Sequence, residues 1–350
     1  MILFAALLAG SLPHQAPSLF PAPEEALNGW LALWDGTISD WDVGPGWKTS
    51  SQGSLLVPNG RGGPRCRLGG GEWKLRTIPD SLNNPLLKIV WRQADGEKVL
   101  DTWNGGQIKS ELTFQTPAGK PGQLLVEGAH LEIVSLWHKP TGTGELIEGK
   151  GLSEWKLVPG KKAKASVAPE GWIRIQDGPG DLQTEKTFGD FVAQLTLRTG
   201  GKHLNSGFFF RAISGEQWQG YEAQIRNEFT PGLERPYILE SFDAKSHQPT
   251  GKFELKSTAV DYGSGAIYRR MPARSPSAGD NEWFTLSVAA VGRDICTWVQ
   301  GRPQAVWTDN RPENANARQG FRSKPGVFGI QGHDPTTLID FRSLRILNLD

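Results

Sequence analysis

The segment SGFFFRAI, residues 206–213, is an aromatic-rich run of the kind that forms β-strands. Successive side chains of a strand point to opposite faces, so if Phe208 and Phe210 face a core, Phe209 and Arg211 face the other way. Similar runs occur on both sides of it, separated by Gly, Asp, Asn and Pro: DFVAQLTLRT, YEAQIRN, GAIYRR, EWFTLSVAAV, DICTWVQG, GVFGIQGHD and IDFRSLRIL. At least eight short strands with turn residues between them predict an all-β, two-sheet jelly-roll sandwich.

The composition of the chain agrees with this fold and excludes some functions. The 43 Gly and 24 Pro residues suit many short strands joined by turns. Lys plus Arg at 38 against Asp plus Glu at 37 leaves a formal charge of +1, so no basic excess favours nucleic acid. The 14 Trp residues are numerous, and Trp faces stack on sugar rings, although most Trp in a sandwich belongs to the core.

A short internal repeat predicts two related modules. Residues 33–41 read LWDGTISDW and residues 146–155 read LIEGKGLSEW, the same pattern with one residue inserted. Between the modules, KPTGTGE is a linker of turn formers. We therefore expect a smaller, degenerate β-sandwich module over residues 25–138, and a second module over residues 144–350.

The start of the chain and its two cysteines bear on location. The apolar run MILFAALLAG followed by SLPHQAPS predicts a signal peptide over residues 1–20, and hence a periplasmic or extracellular protein. No later stretch of about 20 apolar residues predicts a membrane span. Exported compartments permit a bridge between Cys66 and Cys296, but the strand-like context ICTWV favours a small buried residue at Cys296.

The second module resembles a known family. The segments LQTE, DFVAQLTL, NSGFFFR, GYEAQI, GSGAIYRR, NEWFTLSV, WVQGRPQAVWTD and GVFGIQGHDPTTLIDFRSLRIL occur in the order found in the 3-keto-disaccharide hydrolase family. The first module resembles it only through LWDGTISDW and adjacent strands. The resemblance implies a concanavalin A-like sandwich that acts on glycosides oxidised at C3, with a sugar 3-oxidoreductase as a partner that makes the keto sugar. Members cleave by elimination or hydrate the resulting enone, and membership does not choose among elimination, hydration and net hydrolysis.

The implied chemistry requires two kinds of catalytic group. A ketone at C3 makes the C2 proton acidic, so one group must take that proton and another must hold the oxyanion at O3. Glu222 and His333 are the candidate bases, and Arg211 is the candidate oxyanion group. The alternatives are that His333 is a turn histidine bonded to Asp334, and that Arg211 forms an ion pair with Glu222 or Glu185.

Further polar residues are expected to bind the substrate. Gln224 shares a strand face with Glu222, and Gln331 shares one with His333. Arg269 and Arg270 alternate, so only one of them would face the cleft. The predicted binding residues are Asn205, Gln224, Gln331, Tyr268, Arg269, Glu185 and Asp334.

The site is also a candidate for a divalent metal ion. Two other classes of protein that recognise carbohydrates are alternatives to an enzyme that cleaves keto-glycosides. His333 and Glu222 are the candidate metal ligands, although the chain has no HxxE or HxH spacing. A retaining glycosidase would present two close carboxylates, whereas YEAQI supplies one carboxylate and one amide. The remaining alternative is a lectin-like sandwich that binds carbohydrate without catalysis.

Overall fold

A computed structural model describes residues 18–350 of the chain, and strands dominate it. The all-β prediction is confirmed. The predicted signal peptide, except for its last three residues, lies outside the described part. Within residues 18–350, the structure contains no helix with the length and hydrophobicity of a membrane span.

The part of the chain up to residue 140, here the N-terminal module, forms one nine-stranded sheet. It begins with α1 (Pro23–Leu27) and contains short 3-10 helices at Ile38–Asp40 and Gly105–Gln107. Its strands are β1 (Leu31–Ala32), β2 (Trp41–Asp42), β3 (Lys48–Thr49), β4 (Leu55–Pro64), β5 (Gly71–Pro79), β6 (Leu86–Gln93), β7 (Gly96–Asn104), β8 (Glu111–Thr116) and β9 (Gln123–Pro140).

The part from residue 144, here the C-terminal module, contains an eight-stranded sheet, a five-stranded sheet and a two-stranded hairpin. Its first strands are β10 (Gly144–Glu145), β11 (Trp155–Leu157), β12 (Lys164–Val167), β13 (Ile173–Gln176), β14 (Gly180–Phe188), β15 (Phe191–Thr199), β16 (Ser206–Ala212) and β17 (Tyr221–Ile225). The others are β18 (Arg235–Phe242), β19 (Pro249–Ser257), β20 (Phe284–Val291), β21 (Asp294–Val299), β22 (Arg302–Thr308), β23 (Gly326–Gly332) and β24 (Leu338–Asn348). The predicted boundaries 25–138 and 144–350 stay predictions.

The two modules share one strand order. The N-terminal strands run β3-β4-β9-β5-β8 and β2-β4-β9-β6-β7. The corresponding C-terminal orders are β12-β13-β24-β15-β20 and β11-β14-β23-β16-β17. The repeat seen in the sequence has the same geometry in both copies, because the indole N–H of Trp41 donates to Leu33 O (2.8 Å) and that of Trp155 donates to Leu146 O (3.3 Å). The modules are therefore related in topology, and β4 and β9 each correspond to two C-terminal strands.

The main core of the C-terminal module lies between its eight- and five-stranded sheets. Phe208, Phe210 and Phe328 of the five-stranded sheet pack there with Leu195 and Leu286 of the other sheet. The strand alternation predicted from the sequence thus holds at Phe208 and Phe210. The opposite face of the five-stranded sheet carries polar side chains beside a small apolar cluster of Phe209, Ala212 and Val327.

The modules pack against each other through a second core and a covalent link. Trp298 of β21 is buried among N-terminal residues, and its indole N–H donates to Ala32 O (2.7 Å). Arg274 pairs with Asp40 at 2.6 Å. Cys66 and Cys296 form a disulfide with a Cα–Cα distance of 6.0 Å. The sequence left the pairing open and favoured a small buried residue at Cys296. Cys296 is indeed buried, and it is also paired, because packing of β21 against the N-terminal module brings the two cysteines together.

Candidate active site

A cleft of about 400 Å³ opens on the outer face of the five-stranded sheet. Its floor comes from β17 and β23. Its walls come from the segments before β16, between β16 and β17, between β19 and β20, between β22 and β23, and after β23. Seven of its ten lining residues are among those predicted from the sequence. The lining residues are Asn205, Trp218, Gln219, Glu222, Gln224, Tyr268, Arg269, Arg318, Gln331 and His333.

Glu222 provides a buried carboxylate at the floor of the cleft. It lies opposite Phe209 on the neighbouring strand, and its side chain is only 4% exposed. A Cβ at Gly207 would collide with the Glu222 carboxylate, so the glycine of the NSG segment makes room for it. Burial raises the pKa of Glu222, and the positive charge of Arg318 opposes that rise.

Arg318 is the cation that pairs with Glu222 in the cleft, and it was not predicted from the sequence. Its Nη2 lies 2.7 Å from Glu222 Oε2, and its guanidinium lies over the rings of Phe209 and Tyr268 at 5.2 and 5.5 Å. Its Nε donates to Trp218 O at 2.8 Å. Because Arg318 comes from the irregular segment between β22 and β23, no strand alternation points to it.

His333 lies across the cleft with a defined orientation. Its Nδ1 is 2.9 Å from Asp334 Oδ2, and its Nε2 is 3.3 Å from the side-chain nitrogen of Asn205. An amide nitrogen only donates and a carboxylate only accepts, so these contacts fit a neutral ring with its proton on Nδ1 and a lone pair on Nε2. Asp334 was predicted to bind substrate. It does not line the cleft and instead orients His333, because its carboxylate is held by His333 and Thr336.

Trp218 forms an aromatic wall beside His333. The two rings stack at 6.2 Å with an interplanar angle of 19°. The Trp218 backbone has φ of 64°, and its N–H donates to Asp181 Oδ2 at 2.8 Å. Burial raises the pKa of Asp181 to about 7, and the charge of Glu222 adds to the rise. Asp181 therefore positions Trp218 and is a second perturbed carboxylate near the cleft.

Three amide side chains give the cleft unused acceptors. Gln224 donates to Asp261 O at 3.0 Å, and Asn205 donates to Asp261 Oδ2 at 3.2 Å. Within residues 18–350, no hydrogen-bond donor reaches the side-chain oxygens of Asn205, Gln224 or Gln331, although all three atoms are buried. Buried acceptors without partners are costly, so this part of the cleft suits a ligand that donates hydrogen bonds.

Arg211 does not belong to this site, so its prediction as a catalytic residue was wrong. A bulge between Phe209 and Ala212 breaks the strand alternation, and Arg211 has φ of 45°. Its side chain is 1% exposed and donates to Gly189 O (2.9 Å), Gly292 O (2.7 Å) and Asp190 (2.8 Å). It ties together the turns between β14 and β15 and between β20 and β21.

Glu185 was also wrongly predicted to bind substrate. A register shift in β14 between Gln183 and Thr187 turns this part of the strand outward. Glu185 is 46% exposed and pairs with Lys156 at 2.6 Å. Tyr268 and Arg269, in contrast, both line the cleft, because the segment GAIYRR forms a turn in which Arg269 has φ of 62°.

The candidate metal ligands have other partners. Glu222 pairs with Arg318, and the two ring nitrogens of His333 face Asp334 and Asn205. Across the described part of the chain, no group of three or more His, Cys, Asp or Glu side chains could hold a metal ion.

Residues 142–347, more than half of the chain, match the family described as the 3-keto-alpha-glucoside-1,2-lyase-like domain. The chain belongs to this family. The resemblance to 3-keto-disaccharide hydrolases is therefore confirmed, and this 3-keto-alpha-glucoside-1,2-lyase-like domain contains the whole cleft. Membership supports a carbohydrate-active function. No curated protein matches the chain.

Several solved structures are similar to part of the chain. A candidate glycosyl hydrolase from Parabacteroides distasonis ATCC 8503 is 19% identical, with a TM-score of 0.43 over 60% of this chain and 100% of its own. A second one from the same organism is 18% identical, with a TM-score of 0.42 over 58% and 91%. The carbohydrate-binding module CBM66 of Bacillus subtilis is 16% identical, with a TM-score of 0.35 over 54% and 92%.

Proposed function

We propose that this protein cleaves glycosides that carry a ketone at C3, by removing the proton at C2 and expelling the oxygen at C1. The observation that carries the proposal is the arrangement of three groups in one cleft. Glu222 is buried with a raised pKa, Arg318 pairs with it at 2.7 Å, and His333 has its Nε2 lone pair oriented by Asp334. An acid, a cation and a base are the groups that this elimination needs.

In the first step, the bound sugar displaces the Asn205 amide nitrogen from His333 Nε2, which then takes the proton from C2. The electrons of the C2–H bond form a C2–C3 double bond, and the negative charge moves to O3. Arg318 is the group that holds this oxyanion, because its Nη1 has no hydrogen-bond partner among residues 18–350. Asp334 stabilises the imidazolium that forms, since its carboxylate lies 2.9 Å from Nδ1.

In the second step, the enolate reforms the C3 ketone and the C1–O bond breaks, which leaves a C1–C2 double bond. The departing oxygen needs a proton, and we assign its delivery to Glu222 at the floor of the cleft. Burial raises the pKa of Glu222, and Arg318, whose charge opposes that rise, turns to the O3 oxyanion during the reaction. Water can then add to C1 of the enone, with its proton passing to C2. Elimination followed by this addition amounts to hydrolysis of the glycosidic bond.

Binding of the sugar would use the aromatic wall and the amides. Trp218 is 36% exposed and offers its ring face to the apolar face of a pyranose. The unpartnered oxygens of Asn205, Gln224 and Gln331 can accept hydrogen bonds from sugar hydroxyl groups.

The disulfide supports export of the protein. Disulfides persist in oxidising compartments and are rare in the cytosol, so the Cys66–Cys296 bond favours a periplasmic or extracellular location. The substrate must be oxidised at C3 before this reaction, which is work for a sugar 3-oxidoreductase.

The test compares a 4-nitrophenyl 3-keto-glucoside with the unoxidised 4-nitrophenyl glucoside. We expect nitrophenol release from the keto compound only, and a primary isotope effect when C2 carries deuterium. Glu222→Gln, His333→Ala and Arg318→Gln should each lower kcat/KM by about 10²- to 10⁴-fold. The matched control is Glu127→Gln, which removes a carboxylate of an ion pair on the outer face of the N-terminal sheet and should leave kcat/KM unchanged.

Other results would reject the proposal. Release from the unoxidised glucoside at a similar rate would indicate an ordinary glycosidase. Reversible binding of plain sugars without release from either compound would leave the lectin-like alternative. Full activity of both Glu222→Gln and His333→Ala would remove the roles given to these residues.

A further inference from the structure

A second pocket adjoins the cleft and shares a wall with it. It has a volume of about 190 Å³ and lies between the β18–β19 hairpin and β22. Arg269 lines both the pocket and the cleft. The backbone oxygen of Arg318 accepts hydrogen bonds from Arg270 Nη2 at 2.8 Å and from Arg311 Nη1 at 3.4 Å. Two arginines that line the pocket therefore hold the backbone of Arg318, which lines the cleft. The pocket and the cleft are therefore neighbours that meet at Arg269.

The pocket combines aromatic surfaces with an excess of positive charge. Phe242, Phe253 and Trp307 line it and none of them is fully buried. Arg311 is neutralised by Asp309 in a two-point pair with distances of 2.8 Å. These aromatic faces suit a ring in the ligand. The arginines that are not neutralised indicate which substituent that ring would have.

Two arginines of the pocket lack close carboxylate partners. Arg270 reaches Glu240 only at 3.9 Å, and the Glu240 side chain is 57% exposed. Burial and the neighbouring Arg311 lower the pKa of Arg270 to about 10. Over residues 18–350, no carboxylate lies within 4.0 Å of the Arg269 guanidinium, which instead lies over the ring of Tyr268 at 5.5 Å. Arg269 also has φ of 62°, an uncommon backbone conformation for a side chain of this size.

We propose that this second pocket holds the leaving group of the substrate, and that this leaving group is a ring that carries a carboxylate. Arg269 and Arg270 bind the carboxylate, and Trp307 with Phe242 contacts the ring. A planar guanidinium suits a carboxylate through paired hydrogen bonds. The inference rests on the proposed function for the direction of the substrate, since it assigns the sugar to the cleft and the leaving group to the pocket.

The experiment measures binding without turnover. Calorimetry compares unoxidised 4-carboxyphenyl glucoside with 4-carbamoylphenyl glucoside, which has nearly the same shape and no charge. We expect the wild-type protein to bind the carboxylate compound about tenfold more tightly, the size of one charge-assisted hydrogen bond. Arg269→Gln should bring the ratio of the two affinities close to one, and Arg270→Gln should lower it. The matched control, Arg342→Gln, changes an arginine that lies over Trp283, a residue outside both pockets, and should keep the wild-type ratio.

Each outcome bears on the inference separately from the cleavage reaction. Equal affinities in the wild-type protein, no binding of the carboxylate compound, or a ratio unchanged in both arginine variants would overturn it. If the ratio behaves as expected but the 3-keto forms release no leaving group, the pocket stands and the cleavage proposal fails. A glucosyl-glucuronic acid disaccharide serves as the second probe, and its affinity relative to the 4-carboxyphenyl compound distinguishes a sugar acid from an aromatic acid.

Discussion

The two modules have the same strand order, but they differ at one equivalent sheet face. That face is exposed to solvent in the N-terminal module and is covered by connecting segments in the C-terminal module. On the N-terminal sheet, Lys88 pairs with Glu127 at 3.2 Å and Arg92 pairs with Glu97 at 2.7 Å. These side chains are 29–47% exposed, so water competes for every charge. On the corresponding C-terminal face, Glu222 is 4% exposed and its pKa is raised. A shared sheet therefore does not by itself make a site.

The difference comes from the segments that connect equivalent strands. Two residues, 94–95, join β6 to β7, whereas the loop 213–220 joins β16 to β17 and supplies Trp218. Residues 105–110 join β7 to β8, whereas residues 226–283 join β17 to β20 and supply Tyr268 and Arg269. Arg318 comes from residues 309–325, between β22 and β23. These longer connections cover the sheet, exclude water from Glu222 and so change its acidity.

The largest expected effect concerns the link between the modules. Replacing Cys66 and Cys296 with Ala should lower the free energy of unfolding by about 2–4 kcal/mol, because the unfolded chain loses a crosslink between residues 230 apart in sequence. Urea denaturation of the double variant against the wild-type protein measures the loss. The cleavage rate at 25 °C should stay unchanged, since both cysteines lie in the core between the modules and not in the cleft.

The shape of the same transition tests how far the modules are one unit. Their shared core around Trp298 predicts a single transition even without the disulfide. Two separate transitions, or no loss of stability, would contradict this account of the interface.

A smaller effect should separate the two equivalent faces. Arg318→Gln leaves the buried Glu222 carboxylate without its partner and should cost about 1–3 kcal/mol of stability. Lys88→Gln breaks an ion pair that water already screens and should cost less than about 0.5 kcal/mol. Chemical denaturation at pH 7 measures both.

A double variant checks the reason for that cost. In Arg318→Gln with Glu222→Gln, no charge remains unpaired, so part of the lost stability should return. Equal costs for Arg318→Gln and Lys88→Gln would mean that the loops do not exclude water from the C-terminal face.

The sequence predicts the sheets better than it predicts the cleft. The all-β fold, the family and the burial of Phe208 and Phe210 follow from strand alternation and ordered motifs. The same alternation fails at Arg211 and Glu185, because bulges in β16 and β14 change the direction of the side chains. Bulges have no reliable signal in a single sequence.

Arg318 and the aromatic wall formed by Trp218 could not be predicted from the sequence for a different reason. Arg318 and Trp218 come from irregular segments whose course depends on tertiary packing, and no period marks them. The segment NSGFFFR held a weaker signal that could have been used. Its Gly207 has no room for a Cβ beside Glu222, and a glycine within a strand often marks close approach of another group.

The smallest expected effect is on the way stability changes with pH. One buried residue in each module contributes to it, and the two contributions have opposite signs. His138 is fully buried in the N-terminal module, where burial lowers its pKa to about 3 from 6.5. Between those values the unfolded chain binds a proton that the folded chain does not, so the contribution of His138 to stability falls as the pH falls. Asp181 in the C-terminal module has its pKa raised from 3.8 to about 7, so between those values the folded chain binds the extra proton and the contribution of Asp181 rises as the pH falls.

Between about pH 4 and 6.5 the two contributions should nearly cancel in the wild-type protein, and single variants should separate them. Relative to the wild type, His138→Leu should gain about 1.4 kcal/mol of stability for each pH unit of acidification, and Asp181→Asn should lose about as much. Denaturation curves at several pH values measure these slopes, which do not depend on the constant packing cost of either substitution. If the stability of Asp181→Asn changes with pH in the same way as that of the wild type, then Asp181 is hydrated like the carboxylates of the N-terminal face. In that case the loops of the C-terminal module would cover the sheet without excluding water, and the raised pKa of Glu222, on which its role as proton donor depends, would lose its physical cause.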